Sequence, residues 1–80
     1  MLSKLNSGNK IVGTKQVKRA LNLNNVEAVF IAEDAENKVV DDIIGICNEK
    51  QIQIVYVETM KKLGDACGID VNAATAALLK

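Results

Sequence analysis

The sequence predicts an α/β sandwich around a small mixed β-sheet, and two observations carry the prediction. Val26–Ala32 and residues 52–57 are apolar runs rich in β-branched side chains, as expected for strands covered on both faces. Between them, residues 37–49 place apolar side chains, including Val39, on one helical face. A strand, a helix and a second strand in this order predict a βαβ unit whose helix covers the sheet.

Three elements are predicted before this unit. Residues 2–7 are expected to form a short helix, and Lys10–Val12 an extended segment. A second helix is expected from Thr14, acting as its N-cap, to about Asn22, because three apolar residues at i, i+3 and i+4 form one stripe.

After the unit, Thr59 is expected to cap a helix that ends at Gly68 in a left-handed conformation. Residues 72–79 are rich in alanine, and their propensity alone predicts a final helix. The two aromatic residues, Phe30 and Tyr56, both fall in strands that are predicted to be buried.

The composition is that of one small folded domain. Of the 80 residues, 49% are apolar, which is enough for one core, and no proline, repeat or linker marks a boundary. We therefore expect residues 1–80 to form a single, monomeric domain. No secretory leader, membrane span or lipidation signal is recognised, so we expect a cytoplasmic protein without a membrane role.

Residues that enzymes and metal sites commonly use are scarce. The chain has no histidine, and hence no imidazole base or ligand. Cys47 and Cys67 fall on the inward faces of predicted helices, where cysteine acts as a small apolar side chain, and a reducing cytosol favours free thiols. The glycines form no nucleotide-binding loop. We expect no catalytic residue, no cofactor and no metal.

Three acids, Glu33, Asp34 and Glu36, follow the first buried strand at its carboxyl end. Ligands often bind at this position in α/β proteins, which makes a metal role worth considering. The order of the acids does not match a calcium loop. A solvated turn, with Asn37 capping the next helix, explains the pattern with fewer assumptions.

Charge is distributed unevenly along the chain. Residues 1–26 carry +5, residues 27–58 carry −6 and residues 59–80 carry +1, so the formal net charge is zero. A net charge of zero argues against nucleic-acid binding, whereas the basic first third favours it.

Residues 13–19 are the most informative segment. Lys15, Lys18 and Arg19 crowd the first turns of a predicted helix, where positive charge opposes the helix dipole by about 0.3–1 kcal/mol per group. Gln16 and the free N–H groups of the turn suit base edges and phosphates. An ordinary solvated amphipathic helix accounts for the same pattern equally well.

A second segment directly follows the end of the helix that Thr59 caps. Ile69 and Val71 flank Asp70 in what must be a turn. Exposed apolar loop residues often contact a partner. Alternatively, both apolar side chains tuck under the helix as part of its C-terminal stop.

Three motifs taken together resemble a known family. They are Ile-Val-Gly-Thr-Lys-Gln at residues 11–16, Val-Phe-Ile-Ala-Glu-Asp-Ala at residues 29–35, and Met-Lys-Lys-Leu-Gly-Asp-Ala-Cys-Gly-Ile-Asp-Val at residues 60–71. In order and spacing they are similar to the kink-turn-binding ribosomal proteins of the L-seven-Ae type, and most of all to the small bacterial branch. The resemblance covers nearly the whole chain.

This resemblance implies a three-layer α/β/α sandwich with a four-stranded mixed sheet. It therefore implies a strand at Thr75–Leu79, where alanine content alone predicts a helix. It also implies binding to RNA kink-turns, in which a short asymmetric bulge adjoins sheared G·A pairs.

The resemblance also assigns roles by position. Gly13 and Thr14 correspond to residues that let the backbone approach the RNA, and Arg19 to a lysine that contacts the RNA backbone. Lys15 and Gln16 stand where archaeal members have Asn and Glu that read the G·A guanines. A lysine cannot accept from a guanine amine and a glutamine is neutral, but the bacterial branch shares this pair.

The remaining residues expected to bind RNA are one lysine and three residues of a loop. Lys18 is expected to act as a third cation beside the helix start. Ile69, Asp70 and Val71 correspond to the family segment that packs against bases flipped out of the bulge. Glu33 and Asp34 match an acid pair for which we expect a positional role.

These observations lead to one main hypothesis and one alternative. The main hypothesis is a kink-turn RNA-binding protein that is not an enzyme and whose partners are ribosomal RNA, another structured RNA or the ribosome. The alternative is a protein interaction module that docks its acidic middle and residues 69–71 on a ribosomal or other ribonucleoprotein particle.

Overall fold

The structure is a computed structural model and describes residues 9–80. Within these residues, helices and strands alternate along the chain. In order they are β1 (Lys10–Val12), α1 (Thr14–Asn22), β2 (Val26–Ala32), α2 (Asn37–Lys50), β3 (Gln53–Val57), α3 (Met60–Ala66) and β4 (Thr75–Leu79). The short helix predicted over residues 2–7 lies outside the described residues.

The strands form one mixed sheet in the order β1-β4-β2-β3. β4 pairs antiparallel with both β1 and β2, and β2 pairs parallel with β3. Every residue of β2 except Glu27 is buried, as the near-continuous apolar run predicted. The parallel pair and its connecting helix confirm the predicted βαβ unit.

Helices cover both faces of this sheet, so the three-layer sandwich is confirmed. α1 and α2 pack against each other on one face, and α3 lies against β2, β3 and β4 on the other. The core takes its largest fully buried side chains from all three layers: Phe30, Leu21, Ile31, Ile43 and Leu63. None of the helices within residues 9–80 is long and apolar enough to cross a membrane.

Thr75–Leu79 is a strand, as the family resemblance implied, so the helix predicted from its alanine content is wrong. β4 is paired on both of its edges, and these ladders outweigh a weak propensity. Ala76 and Ala77 are fully buried, and α1 and α3 both contact the strand. Small side chains therefore let the helices approach the sheet closely.

The prediction that both aromatic strands are buried holds for Phe30 and is wrong for Tyr56. β3 is paired only with β2 among the described strands, and Tyr56 is 53% exposed. Val39 was also predicted to face inward but is exposed. The buried stripe of α2 passes instead through Val40, Ile43 and Cys47.

The predicted helix ends are right for α3 and wrong for α1. The N–H of Lys62 donates to Thr59 Oγ1 at 3.0 Å, and Gly68 has φ 77°, which confirms both predicted caps of α3. Thr14 is not the N-cap of α1. Gly13 takes that position with φ 109°, a backbone conformation that glycine adopts without steric cost.

The two cysteines are free and buried, as predicted from their place on the inward helix faces. Burial raises the pKa of both thiols, and nearby Lys10 opposes this effect only in part at Cys67. Because the thiolate is the reactive form, both positions favour an unreactive thiol.

We predict that neither cysteine of the native protein reacts with a disulfide reagent such as dithionitrobenzoate at neutral pH, while both react at once in denaturant. A Val71→Cys variant supplies the positive control, since residue 71 is exposed. Fast native labelling of the unmodified chain, at the rate of the control, would contradict the burial of these thiols.

Candidate nucleic-acid interface

Four connections meet at one end of the sheet. β1, β2 and β3 all end there, and the antiparallel β4 begins there at Thr75. The start of α1, the acidic turn at residues 33–36, the start of α3 and the loop at residues 67–74 are therefore neighbours. This convergence brings the two predicted RNA-binding segments together.

Three consecutive residues tie these connections to one another through the backbone. The N–H of Ala73 donates to the carbonyl of Met60 at 3.1 Å. The carbonyl of Ala74 accepts from Ala32 at 2.9 Å, and the carbonyl of Thr75 accepts from Gly13 at 3.0 Å. Residues 73–75 thus contact α3, β2 and the start of α1 in turn.

A side-chain contact reinforces the last of these links. Thr75 is fully buried, and its Oγ1 donates to Thr14 Oγ1 at 3.4 Å. Thr75 is the buried polar residue of the described core. No local pattern predicts this contact, because the two threonines are far apart along the chain. The contact places the first residue of α1 against the first residue of β4.

The N-terminus of α1 presents unpaired backbone N–H groups. Within residues 9–80 no side chain caps it, and no acid lies in its first turn. The first N–H groups of a helix have no partner within the helix and carry the positive end of its dipole. This end of α1 is therefore suited to an anion such as phosphate.

Lys15, Gln16 and Arg19 line one groove of about 360 Å³ on the exposed side of α1. Val17 forms part of the buried side of the same helix. The groove gathers two cations and an amide that can donate and accept. The groove brings Lys15 and Arg19 onto one exposed surface together with Gln16.

Lys18 does not belong to that groove. Its Nζ lies 3.0 Å from Asp42 Oδ2 of α2, so the side chain is paired across the two helices. The Lys18 side chain is about half exposed and that of Asp42 is largely exposed, and such a pair contributes little to stability. Of the three predicted cations, Lys15 and Arg19 thus act together and Lys18 is turned toward α2.

The two apolar residues of the loop after α3 differ in burial, and each follows one of the two predicted alternatives. Gly68 and Ile69 donate to the carbonyls of Asp65 and Gly64 at 3.0 and 3.1 Å, which is the bond pattern of a Schellman stop. Ile69 packs against the core, whereas Val71 is 68% exposed. Ile69 therefore anchors the loop, and Val71 is available to a partner.

Gly64 decides how closely this loop approaches α3. A Cβ built on Gly64 would overlap the carbonyl oxygen of Val71 and come within 3.4 Å of Asn72 Cα. Only glycine leaves this space open. Gly64 was not among the predicted site residues, although a glycine inside a predicted helix is a signal of close packing.

The acidic turn has a structural role at one of its three carboxylates. Asp34 Oδ1 accepts from the N–H of Met60 at 2.8 Å and so holds the start of α3. This contact fits the positional role expected for Asp34. Within residues 9–80, no group of three or more potential ligands is placed to hold a metal ion.

We call the start of α1, its groove and the exposed part of the loop together the α1-loop surface: Gly13, Thr14, Lys15, Gln16, Arg19, Asp70 and Val71. Of the predicted site residues, Lys18 lies beside this surface and Ile69 lies beneath it. The profile of the ribosomal protein L7Ae/L30e/S12e/Gadd45 family matches residues 2–80 of the sequence. The chain belongs to this family. The match runs through every element of the fold and both halves of the α1-loop surface.

Similar proteins agree with this assignment. An RNA-binding protein of Halalkalibacterium halodurans is 54% identical over 70 residues, which is 88% of this chain and 85% of that protein. An RNA-binding protein of Caldanaerobacter subterraneus is 54% identical over 68 residues, covering 85% of this chain and 83% of that protein.

Solved structures share the fold. A 15.5 kD RNA-binding protein of Giardia lamblia superposes with a TM-score of 0.91 at 25% identity, covering 99% of this chain and 70% of the other. A Bacillus halodurans protein of unknown function superposes with a TM-score of 0.88 at 23% identity, covering 99% and 83%. The second likeness concerns the fold alone.

We predict opposite effects of two glycine substitutions. Gly64→Ala lowers the free energy of unfolding by about 1–3 kcal/mol, because the Val71 backbone must move. Gly45→Ala is the matched control: it also lies within a helix, its Cβ would meet nothing within 4 Å, and it raises that free energy by about 0.5–1 kcal/mol. Urea unfolding measures both, and equal effects at the two positions would contradict the close approach at Gly64.

Proposed function

We propose that this protein binds RNA through the α1-loop surface and that its target is an RNA kink-turn. The observation that carries the proposal is the groove of Lys15, Gln16 and Arg19 at an uncapped helix start, joined by residues 73–75 to a loop with an exposed valine. Membership of the family and the names of the bacterial relatives, which are RNA-binding proteins, support it.

Each half of the surface suits a different part of a bent RNA. The N–H groups at the start of α1, with Lys15 and Arg19, suit the closely spaced phosphates of a sharp bend. Gln16 offers a donor and an acceptor to a base edge. Val71 offers apolar surface to a base that has left the stack, where single-stranded features are read.

The partner RNA follows from the same reasoning. A kink-turn presents two backbones and unstacked bases at one site, so a rigid surface with two different halves can recognise its shape. Ribosomal RNA is the proposed source of such an element, and the ribosome the proposed place of action. Backbone hydrogen bonds hold the surface together, which favours RNA recognition without rearrangement of the protein.

The first experiment titrates the protein against a labelled duplex with a kink-turn and against the same duplex without the bulge, at two salt concentrations. We expect tighter binding to the kinked RNA, with an affinity that falls as salt rises. Equal and weak binding to both RNAs would refute the kink-turn proposal.

Single substitutions then test the basic half of the surface. Lys15→Ala and Arg19→Ala should each weaken binding and reduce the slope of log affinity against log salt by about 0.7–0.9 for each lost phosphate contact. Lys80→Ala, which removes a cation just after β4 at the opposite end of the sheet, is the matched control. If Lys80→Ala weakens binding as much as Lys15→Ala and Arg19→Ala do, the protein attracts RNA through its overall charge and the assigned groove is wrong.

Val71→Ala tests the apolar half. Covering part of a valine side chain is worth about 1 kcal/mol, so we expect about fivefold weaker binding to the kinked RNA with an unchanged salt slope. Binding to the duplex without a bulge should not change. A loss that is equal for both RNAs would contradict a role in covering unstacked bases.

A further inference from the structure

A second cavity lies at the same end of the sheet, between α2 and the ends of β2 and β3. Its volume is about 390 Å³. The buried Ile31 and Val40 form part of its apolar lining, while Tyr56, Glu33 and Asn37 are exposed around it. The cavity shares no lining residue with the groove on α1. The proposed RNA contacts therefore leave it unexplained.

The strand beside this cavity has an open edge. β3 pairs with β2 alone among the described strands, and the carbonyl of Val57 accepts from Glu33 at 2.7 Å on the β2 side. Because the backbone groups of successive strand residues point to opposite sides, those of Ile54 and Tyr56 point to the open side. Residues 51–57 carry no charge that would oppose the addition of another strand.

The charges around the cavity favour a cation. Glu36 directly precedes Asn37, and Asp41 follows it by one helical turn, so Glu33, Glu36 and Asp41 are exposed acids around this corner. Asp34 is also exposed but is bonded to Met60, and Lys38 offsets one of the remaining charges. Within residues 9–80, the side chains of Glu33 and Asn37 make no hydrogen bond or ion pair. Asp42, by contrast, is neutralised by Lys18. An RNA backbone would be repelled here.

We propose that this corner binds an extended basic segment of a partner protein. The segment adds to the open edge of β3 through the backbone of Ile54 and Tyr56, as peptides add to exposed sheet edges elsewhere. One arginine of the segment places its guanidinium over the Tyr56 ring and pairs with the Glu33 carboxylate. A planar guanidinium can stack and form an ion pair at the same time, which an ammonium does less well.

Charge complementarity selects this occupant over two others. Phosphates of an RNA would face three carboxylates, whose charge exceeds that of the neighbouring Lys38. A second copy of this chain, paired edge to edge, would bring only the uncharged residues 51–57 to the cavity. A basic segment can pair with the open backbone edge of β3 and also place a cation in the acidic, aromatic cavity.

The test uses the intact protein and a capped hexapeptide of alternating valine and arginine. Tyr56 is the one tyrosine of the chain, which has no tryptophan, so the tyrosine fluorescence reports on this cavity alone. We expect a saturable change at a stoichiometry of one. The same peptide with alternate backbone nitrogens methylated should bind at least about fivefold more weakly, and the lysine peptide about two- to fivefold more weakly.

Two variants locate the site, with binding followed by calorimetry. Glu33→Gln should weaken arginine-peptide binding about threefold, and Tyr56→Leu about two- to fivefold. Glu27→Gln is the matched control, because it removes the same charge at the other end of β2. Circular dichroism checks that each variant is folded.

Several results would overturn the proposal. Equal weakening by Glu27→Gln, or equal affinity for the methylated peptide, would mean general charge attraction. Weaker binding of kink-turn RNA to Tyr56→Leu than to the unmodified protein would assign the cavity to RNA. Self-association of the protein in sedimentation, without peptide binding, would assign the edge to a second copy. The peptide assay does not depend on RNA binding, so it tests this corner whatever the RNA titration gives.

Discussion

The backbone of residues 73–75 holds the α1-loop surface together. Each residue bonds a different element, so α3, β2 and the start of α1 are fixed relative to one another within a single short stretch of chain. Backbone bonds of this kind tolerate many side chains. They do require two glycines. Gly64 has no Cβ and so leaves room for the loop, and Gly13 adopts the positive φ at the start of α1.

A formal net charge of zero is compatible with nucleic-acid binding when opposite charges are separated in space. The groove on α1 holds two cations and no carboxylate, while exposed acids gather around the cavity beside Tyr56. The pair between Lys18 and Asp42 lies between the two helices that carry these regions. Two surfaces of opposite sign can therefore serve two partners at one end of the sheet.

Most of the fold follows from patterns within the sequence. β2, α2 and β3 were predicted by the period of their apolar residues, and Thr59 and Gly68 by cap chemistry. The strand at Thr75–Leu79 required the family resemblance, because its stability comes from ladders to distant strands that local propensity does not contain. The exposure of Tyr56 depends on strand order, which a strand's own residues do not reveal.

The candidate site also combines residues that local patterns predict with contacts that they do not. Lys15 and Arg19 line one groove at the start of α1, where the sequence predicted a cluster of cations, whereas Lys18 of the same predicted cluster pairs with Asp42. The contact between Thr75 and Thr14 joins residues from separate elements, so no local pattern encodes it. A glycine within a helix signals that something packs closely at Gly64, but it does not reveal that the partner is the backbone of Val71.

The position of β4 also governs the order in which the molecule can assemble. β4 comes last among the described elements, yet it lies between β1 and β2, and Lys10 pairs with Leu78. Closing so long a loop costs chain entropy that local helix formation does not, so we expect this pairing to be the slow part of folding. Residues 73–75 enter with the same strand. The step that completes the sheet is thus also the step that creates the α1-loop surface. A chain in which β4 has not yet paired presents no such surface.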